Sequence, residues 1–223
     1  MMANLVCGVD EAGRGPVIGP LVMACVVADD DAVRRLREMG VRDSKKLSPT
    51  RRLELEPEVK EAAVEWKTVH ISPQEIDRMR KTMSLNQLEA ERTVDMLLKL
   101  RSWPQELILD APDPVEAKYG MRVAEHLMKL KSPLPLPRIT SEHKADDTYP
   151  VVSAASVIAK VERDRAVDSL KERYGDFGSG YPGDPLTAEY VRRVIAEGRC
   201  PDCVRKSWST VDKGKQARLQ EYL

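Results

Sequence analysis

The sequence predicts an α/β fold: a mixed sheet flanked by helices, with a helical C-terminal lobe. Three observations predict it. Short apolar, β-branched runs alternate with longer segments of helical apolar spacing. The first two apolar runs face each other across a glycine-rich connection, as a strand pair does. Beyond Pro150 only helical patterns remain. Strands first, then alternating strands and helices, then helices alone, is the order of a mixed sheet with a helical appendage.

Each element follows from its residues. Asn4 to Val9 reads as a strand, and after Gly13-Arg14-Gly15-Pro16 the run Val17 to Ala28 reads as its partner. Asp31 to Met39 and Thr50 to Val64 read as helices, the second carrying Pro57 as an expected kink. Val64 to Ile71 is a third strand. Ser72 with Glu75 three residues on forms a capping box that opens a short helix. A longer helix runs from Ser84 to Leu100, with Leu85, Leu88, Val94, Leu97 and Leu98 at helical spacing. Leu107 to Asp110 is a short buried strand, Pro114 to Leu130 a helix, and Arg138 to Glu142 a fifth strand. Pro150 to Tyr174 is a long helix with proline in its first turn, where the missing N–H costs nothing. Thr187 to Glu197 is a further helix. The expected division is a catalytic domain over 1–174, a helical lobe over 175–212 and a tail over 213–223.

Composition narrows the function classes. The 223 residues carry 36 basic and 36 acidic side chains. Zero net charge argues against a protein that coats nucleic acid without a defined site, although a local basic patch is compatible with it. The first ten residues have no basic signal-peptide region, and the longest uncharged run is too short to cross a bilayer, so a cytoplasmic protein is expected. In that compartment the four cysteines do not read as a disulfide framework. Cys7 and Cys25 read as small core residues. Cys200 and Cys203 have zinc-knuckle spacing but no second pair of ligands.

The chemistry lies in acids at strand ends. Asp10 and Glu11 close the first strand; in a regular strand they would point to opposite faces, so joint use of both requires the strand to end or bulge there. Asp110 closes the Leu107–Asp110 run, and Asp146 and Asp147 follow the fifth strand. Ligands gather at such strand ends in open α/β sheets. An all-oxygen donor set selects Mg²⁺ or Mn²⁺. Ser156, Lys160 and Arg163 share one face of the long helix and suit a phosphate backbone. His70 and His126 belong to no acid–base pair. A P-loop is excluded, because Gly8 to Gly19 lacks the terminal Gly-Lys-Ser/Thr. A nucleic-acid-binding module without chemistry would not need several acids, which repel phosphate unless cations are present.

The runs GVDEAGRGPVIGP, DSKKLS, LDAPD, EHKADDTYPVVSAASVIAKVERD and GDFGSGYPGDP resemble type 2 ribonuclease H in its archaeal form, in order, from Gly8 to about Trp208. The resemblance implies a ribonuclease H-like fold and endonucleolytic cleavage of the RNA strand of RNA–DNA hybrids, or on the 5′ side of single ribonucleotides in duplex DNA. It implies four catalytic, metal-binding carboxylates at Asp10, Glu11, Asp110 and Asp146, holding two Mg²⁺ or Mn²⁺ ions, with Asp147 the weaker claimant. Gly13, Arg14, Gly15 and Tyr181 are implied in reading the RNA-to-DNA junction. Lys45, Lys144, Ser156 and Lys160 are expected on the same substrate. The chain is expected to act as a monomer. Its tail, Gln216 to Leu223, resembles the peptide by which replication enzymes dock on a sliding clamp, with Gln216, Leu219 and Tyr222 as the docking residues.

Overall fold

The computed structural model describes residues 4–41, 47–131 and 133–211. The elements run β1 (Val6–Ala12), β2 (Leu21–Ala28), α1 (Asp30–Glu38), α2 (Pro49–Ala62), β3 (Glu65–Ile71), α3 (Pro73–Met79), α4 (Leu85–Leu97), β4 (Glu106–Asp110), α5 (Glu116–Lys129), β5 (Arg138–Glu142), α6 (Ala145–Thr148), α7 (Pro150–Tyr174) and α8 (Pro185–Ala196). Their order is the one expected, with α6 added between β5 and α7. That helix is a single turn, too short to leave a periodic pattern. Among the described residues no helix is long and apolar enough to cross a membrane.

The strands form one sheet in the order β3-β2-β1-β4-β5. β1 pairs antiparallel with β2 and parallel with β4, and β4 pairs parallel with β5. All eight residues of β2 are buried, which explains its unbroken apolar run: a strand covered on both faces has no reason to alternate. Local capping chemistry sets several helix starts. Asp29 accepts from Ala32 N at 2.8 Å, Ser48 from Arg51 N at 3.1 Å and Ser72 from Glu75 N at 3.1 Å. α2 passes through Pro57 without ending there.

The chain divides into two compact units. The first comprises Met1–Ala12, Val22–Val69 and Asn86–Glu162, and holds most of the sheet and the first part of α7. Its core joins Ala24, Val26 and Ala28 of β2 to Val151, Val152, Ala155, Ile158 and Ala159 of α7. Gly8 makes the closest approach. A Cβ there would lie 2.4 Å from the Val151 carbonyl carbon and 2.5 Å from the Val152 nitrogen, so only glycine lets the start of α7 rest on β1.

The second unit comprises Gly13–Leu21, His70–Leu85 and Arg163–Leu223. Its core contains Val17, Ile18, Phe177, Tyr190, Val191, Val194 and Val204, with Phe177 edge-on to Tyr190 at 5.7 Å. In this unit, segments remote in sequence join the C-terminal helix. Ile18 pairs with Val204, and Asp77 accepts from the backbone nitrogens of Lys206 and Ser207, each at 2.8 Å. Such long-range pairing leaves no local mark in the sequence.

Candidate active site

The carboxylates lie in the first unit. β1 keeps regular register through Ala12, with Asp10 opposite Ala24 and Glu11 opposite Met23. No bulge interrupts this pairing, and the strand ends at Ala12, one residue past Glu11. Asp10 is buried, whereas Glu11 is half-buried. The parallel pairing of Val9 with Leu109 brings the next residue of each strand, Asp10 and Asp110, to the same end of neighbouring strands. Asp110 accepts from the Ala145 amide at 3.0 Å, which ties the first turn of α6 to β4. Asp146, the next residue, is fully buried. The turn into α6 is made by Lys144, exposed and in the left-handed region at φ 57°. A side chain there costs roughly 1–2 kcal/mol.

Electrostatics show which acids converge. Burial pushes the Asp10 carboxyl up from 3.8 to about 7, the nearby Asp110 carboxylate pushes the same way, and Asp146 adds to it. Two groups oppose the shift. The Ser156 hydroxyl hydrogen-bonds Asp10, and the Lys160 ammonium attracts its charge. Lys160 Nζ in turn donates to Ser156 Oγ at 2.6 Å. Ser156 is fully buried, and its hydroxyl bonds Asp10. Arg163, on the same helix face in the sequence reading, is also buried.

Asp10, with two carboxylates that oppose its charge and one ammonium as counterweight, belongs to a donor set that a hard divalent cation fits, being all oxygen and net negative. Among the described residues no three His, Cys, Asp or Glu side chains are already drawn into a coordinating group.

The glycine-rich loop lies in the second unit. Gly13 has φ +85°, and a Cβ there would lie 2.7 Å from both the Arg163 side chain and the Pro20 carbonyl oxygen. Gly15 is exposed, and a Cβ on it would meet the Tyr181 ring at 3.5 Å. The Gly180 carbonyl accepts from Val17 N at 2.8 Å and Ile18 N at 3.2 Å, which sets the Tyr181 loop beside this segment. Arg163 stacks over Tyr181 at 5.3 Å and donates to the Ser179 carbonyl at 3.2 Å. Tyr181 keeps 44% of its surface exposed.

Several expected residues play other parts or fall elsewhere. Lys45, and Gln216, Leu219 and Tyr222 of the tail, lie outside the described residues. Cys7, Cys25 and Cys203 are buried free thiols, and Cys200 is a half-buried one. Cys203 is hydrogen-bonded to the Tyr190 side chain. Sequence reasoning missed Arg205 and Trp208. Arg205 is fully buried and donates to the carbonyls of Gly13 at 2.5 Å, Arg14 at 3.0 Å and Gly19 at 2.9 Å. Trp208 Nε1 donates to the Gly15 carbonyl at 3.1 Å. The one local signal was an arginine following the apolar Cys203-Val204 pair in an otherwise polar stretch.

Comparison with known proteins now decides the family. The model of the ribonuclease HII family matches residues 7–211. The chain belongs to the ribonuclease HII family. It is 42% identical to ribonuclease HII of Archaeoglobus fulgidus, covering 96% of this chain and 98% of that one. It is 44% identical to the Thermococcus sibiricus enzyme, covering 96% and 92%. Among solved structures, ribonuclease H2 from Pyrococcus horikoshii superposes with a TM-score of 0.85 at 41% identity, covering 96% of this chain and 98% of that one. The PCNA:RNase HII complex from A. fulgidus gives 0.83 at 41% identity, covering 97% and 99%. A ribonuclease HIII in complex with Mn²⁺ shares the fold, with a TM-score of 0.78 at 20% identity. As a member of this family, the chain is a nuclease that hydrolyses phosphodiester bonds and has the ribonuclease H fold.

Proposed function

We propose that this member of the ribonuclease HII family cuts the RNA strand of RNA–DNA hybrids and the 5′ side of single ribonucleotides embedded in duplex DNA, leaving 3′-hydroxyl and 5′-phosphate ends. The observation that carries the reading is geometric: parallel pairing sets Asp10 and Asp110 at the same end of neighbouring strands, and the Ala145–Asp110 bond brings in the turn that carries Asp146; burial first, and then these two carboxylates, raises Asp10 to about 7. Such crowding is costly in a fold with no use for a cation. Asp10, Glu11, Asp110 and Asp146 would hold two Mg²⁺ or Mn²⁺ ions. When bound, the ions supply an activated water and charge stabilisation for the departing 3′-oxygen.

The remaining roles belong to the chain. Ser156, bonded to Asp10, fixes the carboxyl's orientation, and Lys160 offsets part of the negative charge. Lys160 and Lys144, with Lys45, attract the phosphate backbone. Gly13, Arg14 and Gly15 offer backbone groups to the 2′-hydroxyl, the group that marks RNA. Tyr181, held under Arg163, packs on the sugar at the junction. The 2′-hydroxyl is read and does not attack, so cleavage leaves no cyclic phosphate. The enzyme acts in the cytoplasm as a monomer, with a catalytic domain (1–174), a helical lobe (175–212) and a tail (213–223).

The test is digestion of a DNA duplex carrying one ribonucleotide, with product ends mapped, with Mg²⁺ and in chelator. Cleavage in chelator, or a 2′,3′-cyclic phosphate product, overturns the metal-dependent reading. The tail, through Gln216, Leu219 and Tyr222, is the proposed contact with a sliding clamp. Support comes from the A. fulgidus relative, whose structure is of a complex with PCNA.

A further inference from the structure

We propose that Arg205 is a positioning residue for substrate recognition: with Trp208 it turns the carbonyls of the Gly13–Gly15 loop inward and so presents the loop's N–H groups to the ribose. The inference rests on the reading that this loop senses the 2′-hydroxyl.

Arg205 is fully buried, and a guanidinium is expensive to bury unless its donors are used. Its Nε, Nη1 and Nη2 each donate to a backbone carbonyl, of Gly19, Arg14 and Gly13 respectively. Its own N–H donates to the Val17 carbonyl at 2.8 Å. The guanidinium also lies 4.7 Å from the centre of the Trp208 ring, and that indole donates to the Gly15 carbonyl at 3.1 Å. Two side chains from the C-terminal segment therefore occupy three successive loop carbonyls, those of Gly13, Arg14 and Gly15. The clamp is itself anchored. Arg80 stacks on Trp208 at 4.8 Å and donates to the Ser207 carbonyl at 3.0 Å, while Asp77 holds the Lys206 and Ser207 amides.

The consequence follows from peptide geometry. In a trans peptide the C=O of one residue and the N–H of the next point to opposite sides. With the Gly13 and Arg14 carbonyls on the guanidinium, the Arg14 and Gly15 N–H groups point away from it. Gly15 is exposed, lacks a Cβ and lies beside the Tyr181 ring, so a sugar can approach its backbone closely. The loop is thus pre-set as a donor toward a hydroxyl oxygen. A flexible glycine loop would have to be ordered anew by each substrate, and that cost would reduce the preference for ribose.

Binding of two matched duplexes, one all DNA and one with a single ribonucleotide, tests this by fluorescence anisotropy in chelator. The variants are Arg205→Lys, Trp208→Phe and, as a control on the loop itself, Gly13→Ala. Wild type is expected to prefer the ribonucleotide duplex. Arg205→Lys is expected to reduce that preference by about tenfold, the worth of one well-made hydrogen bond, while affinity for the all-DNA duplex stays within about twofold of wild type. Trp208→Phe keeps the ring under the guanidinium and removes only the bond to Gly15, so it reduces the preference by a smaller factor. It also carries the test if Arg205→Lys does not fold. If both affinities fall in proportion, the two residues are merely structural and the proposal fails. It also fails if Gly13→Ala loses the preference while Arg205→Lys and Trp208→Phe keep it. If all three variants keep it, the loop does not read ribose, and that reading falls together with this one.

Discussion

Asp10→Asn is expected to make the metal-free protein more stable at neutral pH. In the fold, burial first and then the Asp110 carboxylate raise Asp10 from 3.8 to about 7. A carboxyl whose folded value is raised holds its proton more tightly in the fold than in the unfolded chain. Its contribution to stability is complete below about pH 3.8 and is lost as the pH rises through about 7. A shift of about three units at about 1.4 kcal/mol each puts the loss on the order of 4 kcal/mol above pH 7. Asparagine keeps an acceptor for the Glu11 amide, which bonds Asp10 Oδ1 at 2.7 Å, and for Ser156, but it fits this pocket less well. A net gain of about 2 kcal/mol remains after that discount, or roughly 4–8 °C in Tm for a chain of this size. The assay is thermal unfolding of both proteins in chelator at pH 8 and pH 4, repeated at pH 8 with added Mg²⁺. The variant should melt higher at pH 8 and lose that advantage at pH 4, and Mg²⁺ should stabilise wild type more. A variant that melts no higher than wild type at pH 8, or whose advantage is the same at both pH values, refutes the charge-crowding argument.

Three further outcomes follow from the same geometry. Ser156→Ala removes the hydrogen bond that favours ionised Asp10, so Mg²⁺ or Mn²⁺ affinity, read by calorimetry, should fall about tenfold or more. Tyr181→Ala should lower cleavage at a single ribonucleotide by roughly 1–3 kcal/mol of lost stacking, while duplex affinity, dominated by phosphate contacts, changes less; wild-type cleavage would make Tyr181 a simple loop residue. A Gln216–Leu223 peptide should bind the sliding clamp of the same organism, and protein truncated after Thr210 should not; a silent peptide, or undiminished binding by the truncated protein, removes the clamp contact.

What the sequence determined by itself is what short-range physics controls. The capping serines of α2 and α3 and the proline-opened α7 act over a few residues, so their elements were legible at nearly the observed bounds, whereas β2 begins at Leu21 rather than Val17 because Ile18 pairs with distant Val204. The acids at strand ends were legible for the same reason, as charges that interrupt apolar runs. Which of them share a pocket was decided only by the tertiary structure. The parallel register of β1 with β4 brings Asp110 to Asp10, and the Ala145–Asp110 bond brings the turn that carries Asp146. The bond between Ser156 and Asp10 likewise joins residues far apart in the sequence. Arg205 was illegible, because its three carbonyl partners lie 186 to 192 residues away. Hydrogen bonds and charge pairs act through space at a few ångströms, and a linear sequence records spatial neighbours only where they are also neighbours along the chain.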